Sequence, residues 1–113
     1  MKLKYFKVDS FTNELFKGNP ACVVPLSEWL DDEILLKIAQ ENAVSETAFY
    51  IRKEDGFHLR WFTPEIEIDL CGHATLATAH VIKTCLNYNQ NIILFKTKSG
   101  DLKVNIDNNI YFM

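Results

Sequence analysis

The sequence predicts an α+β fold: a mostly antiparallel sheet curled round one buried helix, with a second helix outside. Three observations carry this expectation. Most of the 113 residues fall in short segments rich in β-formers and joined by brief turns, and short connections favour antiparallel pairing. Residues 73–86, HATLATAHVIKTCL, are apolar or small in nearly every direction around a helix, which marks a helix enclosed by a core. A second helical stretch, ending near Asn42, has a single apolar stripe and a polar back, which marks a helix lying on the surface.

The elements follow in order. Residues 2–9 alternate β-formers with lysines and read as a strand with one wet side. A loop carries Asn13 and Gly18-Asn19-Pro20, and residues 21–26, ACVVPL, form a short apolar strand. Asp31 or Asp32 caps the first helix, whose stripe is Leu30, Ile34, Leu35, Ile38 and Ala39. Residues 45–51 and 57–63 are strands joined by Glu54-Asp55-Gly56, a hairpin signal. Pro64 stops the second of them. Ile66, Ile68 and Leu70 alternate with acids as a short half-exposed strand, which Gly72 ends. After helix 73–86 come strands 92–97 and 101–106 with a turn at 98–101, then a turn at Asn108-Asn109 and a strand opening at Ile110. The final apolar segment is an open edge that natural domains avoid, so a longer protein with a second part is expected.

Composition bounds the function. The formal charge is −3, and no basic run exists to neutralise phosphates, so nucleic acid is not an expected partner. Apolar runs fall far short of the roughly 20 residues that span a bilayer, and the N-terminus lacks the apolar core of an export signal. A soluble cytoplasmic protein is therefore expected. Cys22, Cys71 and Cys85 are an odd set, which argues for free thiols. His73 and His80 lie about 10 Å apart along one helix, too far to share a metal ion, and no CxxC or HExxH motif is present. No metal site is expected.

The strongest chemical signal is Asp69-Leu70-Cys71-Gly72-His73-Ala74-Thr75, a strand running through glycine into a helix. The free N–H groups at a helix start carry partial positive charge and suit a carboxylate or phosphate. Gly72 lets a ligand approach the backbone, and a bland reading makes it a simple turn. His73 could donate one hydrogen bond to a substrate and accept another, or merely bond the backbone. Glu46 stands in an otherwise uncharged strand, where a carboxylate facing a part-buried cleft could move a proton; a surface glutamate is the commoner case. Cys71, just before the helix, could serve as nucleophile or base, or as a small buried residue. His80 is expected in partial contact with the core, and His58 is expected to be ordinary.

Four motifs in register also resemble one family. Asp9-Ser10-Phe11-Thr12 with Gly18-Asn19-Pro20-Ala21-Cys22-Val23-Val24, then Ser45-Glu46-Thr47-Ala48-Phe49, Arg60-Trp61-Phe62-Thr63-Pro64 and Cys71-Gly72-His73-Ala74-Thr75-Leu76-Ala77 look like the PhzF-like family of phenazine-biosynthesis type. The resemblance covers essentially the whole chain. It implies the diaminopimelate-epimerase-like fold, in which two lobes each wrap a curved sheet round a central helix and the active site lies between them. Residues 1–113 would be the N-terminal lobe, with the second lobe missing.

The resemblance further implies a cofactor-independent isomerase that shifts a proton within a small carboxylic acid. The family's best-understood member acts on a hydroxylated dihydroanthranilate. Glu46 matches the acid/base glutamate, Gly72 and His73 match the pair lining the substrate cleft, and Asn19 resembles the asparagine of the Gly-Asn motif of related epimerases, which makes it a secondary substrate-binding candidate. In those epimerases a cysteine before the glycine is the acid/base, so Cys71 is the alternative, for a thiol-based epimerase or racemase. A residue contributed by the family's second lobe has no counterpart here. A non-enzymatic alternative is an inactive single-lobe fragment that self-associates as a homodimer.

Overall fold

A computed structural model describes residues 5–8, 21–42, 44–108 and 110–113. Within them lie strands β1 (Phe6–Val8) and β2 (Ala21–Leu26), helix α1 (Asp32–Asn42), strands β3 (Glu46–Lys53), β4 (Gly56–Phe62) and β5 (Glu67–Ile68), helix α2 (Gly72–Cys85), and strands β6 (Ile92–Thr97), β7 (Gly100–Asp107) and β8 (Ile110–Phe112). The expected loop at Asn13 and 18–20 lies outside the described residues, and so does Asn109.

One sheet runs β1-β2-β3-β4-β6-β7-β8, with β5 added to the end of β4. Alternation along each strand decides what it buries. Ala21 and Val23 of β2, Ala48 and Tyr50 of β3, Phe57, Leu59 and Trp61 of β4, Ile93 and Phe95 of β6, and Val104 and Ile106 of β7 all pack with α2. Seven positions of α2, namely Ala74, Thr75, Ala77, Thr78, Ala79, Val81 and Ile82, are buried. Their small side chains let the strands close around the helix. On the other side of the sheet, Val24, Phe49 and Phe62 pack with Leu35 and Ala39 of α1. The curled sheet with one enclosed and one outer helix is thus the fold the sequence predicts.

Three details differ. β2–β3 and β4–β6 are parallel, because a helix lies between each pair in the chain and returns it to the same end of the sheet. The alternating stretch 66–70 yields only two residues of strand, with Ile66 and Leu70 exposed; Thr63 turns the chain first, its hydroxyl accepting the Glu65 and Ile66 N–H groups. In α1, Ile34 is exposed while Leu36 packs on the outer core.

The β3–β4 turn is fixed by Gly56. Its φ is +128°, and a Cβ there would lie 2.8 Å from the Leu94 carbonyl oxygen. Only glycine meets both constraints. All three cysteines are free thiols: Cys22 is buried, Cys71 half-buried and Cys85 exposed. No described helix is long and apolar enough to cross a membrane.

Candidate active site

Glu46 is the first residue of β3 and is half-buried. In this strand Ala48 and Tyr50 face α2, whereas Phe49 faces α1. The two-residue period therefore puts Glu46 on the α2 side of the sheet. Its register neighbour is the fully buried Ala21 on β2. Thr47, next along, is fully buried and takes the Asn42 side-chain N–H at 3.2 Å. The start of β3 is thus tied to the end of α1.

The helix corner is built from β5 onward. Cys71 is the N-cap of α2, extended at φ −146° and ψ 99°, and its Sγ accepts the Ala74 N–H at 3.5 Å. Burial pushes the Cys71 thiol above its usual range, N–H bonds from Ala74 and His73 pull it down, and the Glu46 charge raises it further. The last effect brings Glu46 and the helix corner into one electrostatic neighbourhood. Gly72 and His73 are half-buried. A Cβ on Gly72 would sit 3.1 Å from the Met113 methyl, so the end of the described chain packs over the glycine. No acid lies in the first turn of α2 itself, where a negative charge would be favoured.

β4 grips this corner from both faces. Toward α2, the Trp61 indole N–H donates to the Thr75 hydroxyl at 3.0 Å, and that hydroxyl donates to the Cys71 carbonyl at 2.7 Å. On the outer face, Arg60 donates two 2.8 Å bonds to the Glu67 carboxylate of β5, and one at 2.9 Å to Asp32. Lys98 reaches the same Glu67 at 2.8 Å. The Arg60 guanidinium also lies over the rings of Trp29 (5.1 Å) and Phe62 (5.4 Å). Arg60 holds the Glu67 carboxyl below the ordinary carboxylate range, and the Glu67 bonds push the Arg60 pKa up. From sequence, the 60–64 motif carries only a resemblance, and nothing in it assigns Arg60, Glu67 or Thr75 a part in the site. The available signal was the alternation of Glu65, Glu67 and Asp69, which marks a carboxylate row on the outer face but not its arginine.

The other expected residues separate. Asn19 lies outside the described residues. His58 pairs with the exposed Asp55 at 2.9 Å. The His80 ring meets Tyr111, with Nδ1 3.2 Å from the hydroxyl and the rings edge to face. A shallow groove of about 490 Å³, lined by Trp29, His58, Leu59, Arg60, Lys96, Thr97 and Lys98, contains none of the candidate catalytic residues. Its basic side chains are engaged: Lys96 bonds Asp101, and Arg60 and Lys98 share Glu67. Among the described residues no cluster of His, Cys, Asp or Glu could hold a metal ion.

Comparison with known proteins gives a consistent picture. The family described as phenazine biosynthesis-like protein matches residues 8–110. An uncharacterized isomerase of Pseudomonas aeruginosa is 53% identical over 104 residues, which is 92% of this chain and 40% of that protein. The human phenazine biosynthesis-like domain-containing protein is 46% identical over 112 residues, covering 91% of this chain and 38% of its own. The crystal structure of a PhzF-family protein from Enterococcus faecalis superposes with a TM-score of 0.92 at 47% identity, over 98% of this chain and 43% of that one. A predicted epimerase of Pseudomonas aeruginosa shares the fold, at 24% identity and a TM-score of 0.78. The chain spans about two fifths of the length of these curated relatives.

Proposed function

Since this chain belongs to the phenazine biosynthesis-like (PhzF) family, we propose that it carries the proton-transfer half of a cofactor-independent isomerase acting on a small carboxylic acid. Glu46 removes a proton from carbon and returns it at another position. The N–H groups at the start of α2 hold the substrate carboxylate, with Gly72 giving close approach once the Met113 side chain swings aside and His73 orienting the bound acid. The remainder of the cleft belongs to the part of the relatives that this chain does not match. Asn19 is a further binding candidate.

One observation carries the reading. Glu46 opens β3 on the α2 side of the sheet, the side against which the N-cap Cys71 also packs. Two relatives at about half identity are named as isomerases, which supports the reaction class.

The test is solvent-deuterium uptake by small cyclic and amino acids in D2O, followed by NMR, with the chain and with Glu46→Gln. A general acid–base group contributes about 10²–10⁴-fold, so the variant should lose that much exchange. A variant that still exchanges the substrate at the parent rate refutes Glu46.

Cys71 is the alternative acid/base, because its sulfur sits at the same corner. Burial keeps that sulfur protonated above the usual thiol range, which suits a proton donor better than a thiolate base. Protection by substrate against iodoacetamide would favour Cys71. Full turnover by Cys71→Ala would exclude it.

A further inference from the structure

We propose that Thr75 is a positioning residue, whose hydroxyl aims the Gly72 N–H by joining Trp61 of β4 to the Cys71 carbonyl. The inference rests on the reading of the α2 start as the carboxylate-binding corner.

Thr75 is fully buried. Its hydroxyl accepts the Trp61 indole N–H at 3.0 Å and donates its one proton to the Cys71 carbonyl at 2.7 Å, so the two bonds fix the rotor. The same carbonyl also accepts the Thr75 backbone N–H at 3.0 Å. The Cys71 carbonyl and the Gly72 N–H belong to one planar trans peptide and point in opposite directions. Pinning the carbonyl with two bonds therefore sets the line along which the Gly72 N–H leaves the helix. Glycine has no side chain to hold that peptide, and its backbone is otherwise the loosest in the segment. The β4 strand supplies the reference frame, because its Thr47↔Phe62 register ties it to the strand that begins at Glu46.

A back-bonding threonine is not special by itself. Thr78 donates to the Ala74 carbonyl and Thr84 to the His80 carbonyl, both at 2.7 Å. Thr75 differs in two ways. Its target is the N-cap carbonyl, whose peptide carries the Gly72 N–H, rather than one within the helix, and its oxygen is held by an indole from another element. Thr78, also fully buried, is the natural control.

The experiment uses the chain labelled with ¹⁵N and titrated with benzoate, following the Gly72 and His73 amide signals. Thr75→Val keeps the volume and removes the hydroxyl. It should weaken benzoate binding at least about fivefold, Thr75→Ser should restore it to within about twofold, and Thr78→Val should leave it unchanged. A purely structural hydroxyl would lower the thermal midpoint of both valine variants and change the affinity of neither. If Thr75→Val does not fold, Trp61→Phe breaks the same link from the other end and takes its place.

Unchanged affinity in the folded variant overturns the proposal. If benzoate does not move the Gly72 and His73 signals even in the parent chain, the carboxylate-site reading fails instead. The positioning role is then decided by amide exchange. Residues 75 and 76 in Thr75→Val should exchange at least about tenfold faster relative to the second half of α2, and an unchanged ratio overturns it.

Discussion

Replacing Arg60 with Met should destabilise the fold by about 3 kcal/mol, and the figure follows from what the guanidinium touches. Removing one partner of a buried ion pair costs about 3–5 kcal/mol. Here the Arg60 and Glu67 side chains keep 14% and 18% exposure and Lys98 stays on the carboxylate, so screening brings that loss to about 2 kcal/mol. The stacked contacts to Trp29 and Phe62 add about 0.5 kcal/mol each. The Asp32 bond, 74% exposed on the acid side, adds almost nothing. Methionine preserves most of the aliphatic stem, so packing changes little.

Urea denaturation followed by tryptophan fluorescence measures this directly, since Trp29 reports on the guanidinium itself. The pH dependence is a second reading of the same bond. Arg60 depresses the Glu67 pKa, so the pair's stabilisation is present above the ordinary carboxylate range, near pH ~4.3, and is lost as pH falls through the lower folded value. Arg60→Met should therefore flatten the acid limb of the stability curve as well as lower it. A loss under about 1 kcal/mol with an unchanged acid limb would refute the view that Arg60 anchors β5.

Other expectations are equally specific. Gly56→Ala forces a side chain into φ +128° and against the Leu94 carbonyl, and should cost at least about 2–3 kcal/mol by denaturation. The Tyr50 hydroxyl is buried and has no partner among the described residues, so Tyr50→Phe should be neutral or stabilising by about 0–1 kcal/mol in the same assay. Burial lifts the Tyr50 pKa to about 12, so the parent should lose stability as pH rises from about 10 through that value, and the phenylalanine variant should lose less. With Ellman's reagent, Cys85 should react first, Cys71 more slowly and with a rate that climbs only above the usual thiol pH, and Cys22 last, on unfolding. A fast Cys71 at neutral pH would contradict its burial.

Periodicity carried most of the architecture. An enclosed helix announces itself when Ala74, Leu76, Ala77, Ala79, Val81, Ile82, Cys85 and Leu86 cover nearly every direction around the axis, and an outer one when Glu33, Lys37 and Gln40 share a side. Strand direction was less legible, because alternation is the same in parallel and antiparallel pairs; the helices between β2 and β3 and between β4 and β6 decide it. The ion-pair hub escaped because a residue pattern shows that Glu67 faces outward but not which cation crosses to it. Thr75 escaped for a related reason: a threonine inside an alanine-rich helix reads as packing until its indole partner, 14 residues away on another element, is seen. Glu46 was legible because a lone acid in an apolar strand invites a question, and period two then fixes which side it takes.

The mixed pairing of the sheet bears on how the chain finds its shape. Among the described residues the β3–β4 and β6–β7 hairpins close over short stretches of sequence, and β3–β4 lies nearer the middle of the sheet. Its neighbours β2 and β6 each join it only after a helix has been reeled in, and such distant closures are slow. Assembly should thus spread outward from that hairpin, with β8 annealing late. Pulse-labelled exchange during refolding should find the amides of 47–62 shielded ahead of those of 104–112, and the reverse sequence of protection would show that the nucleus lies elsewhere.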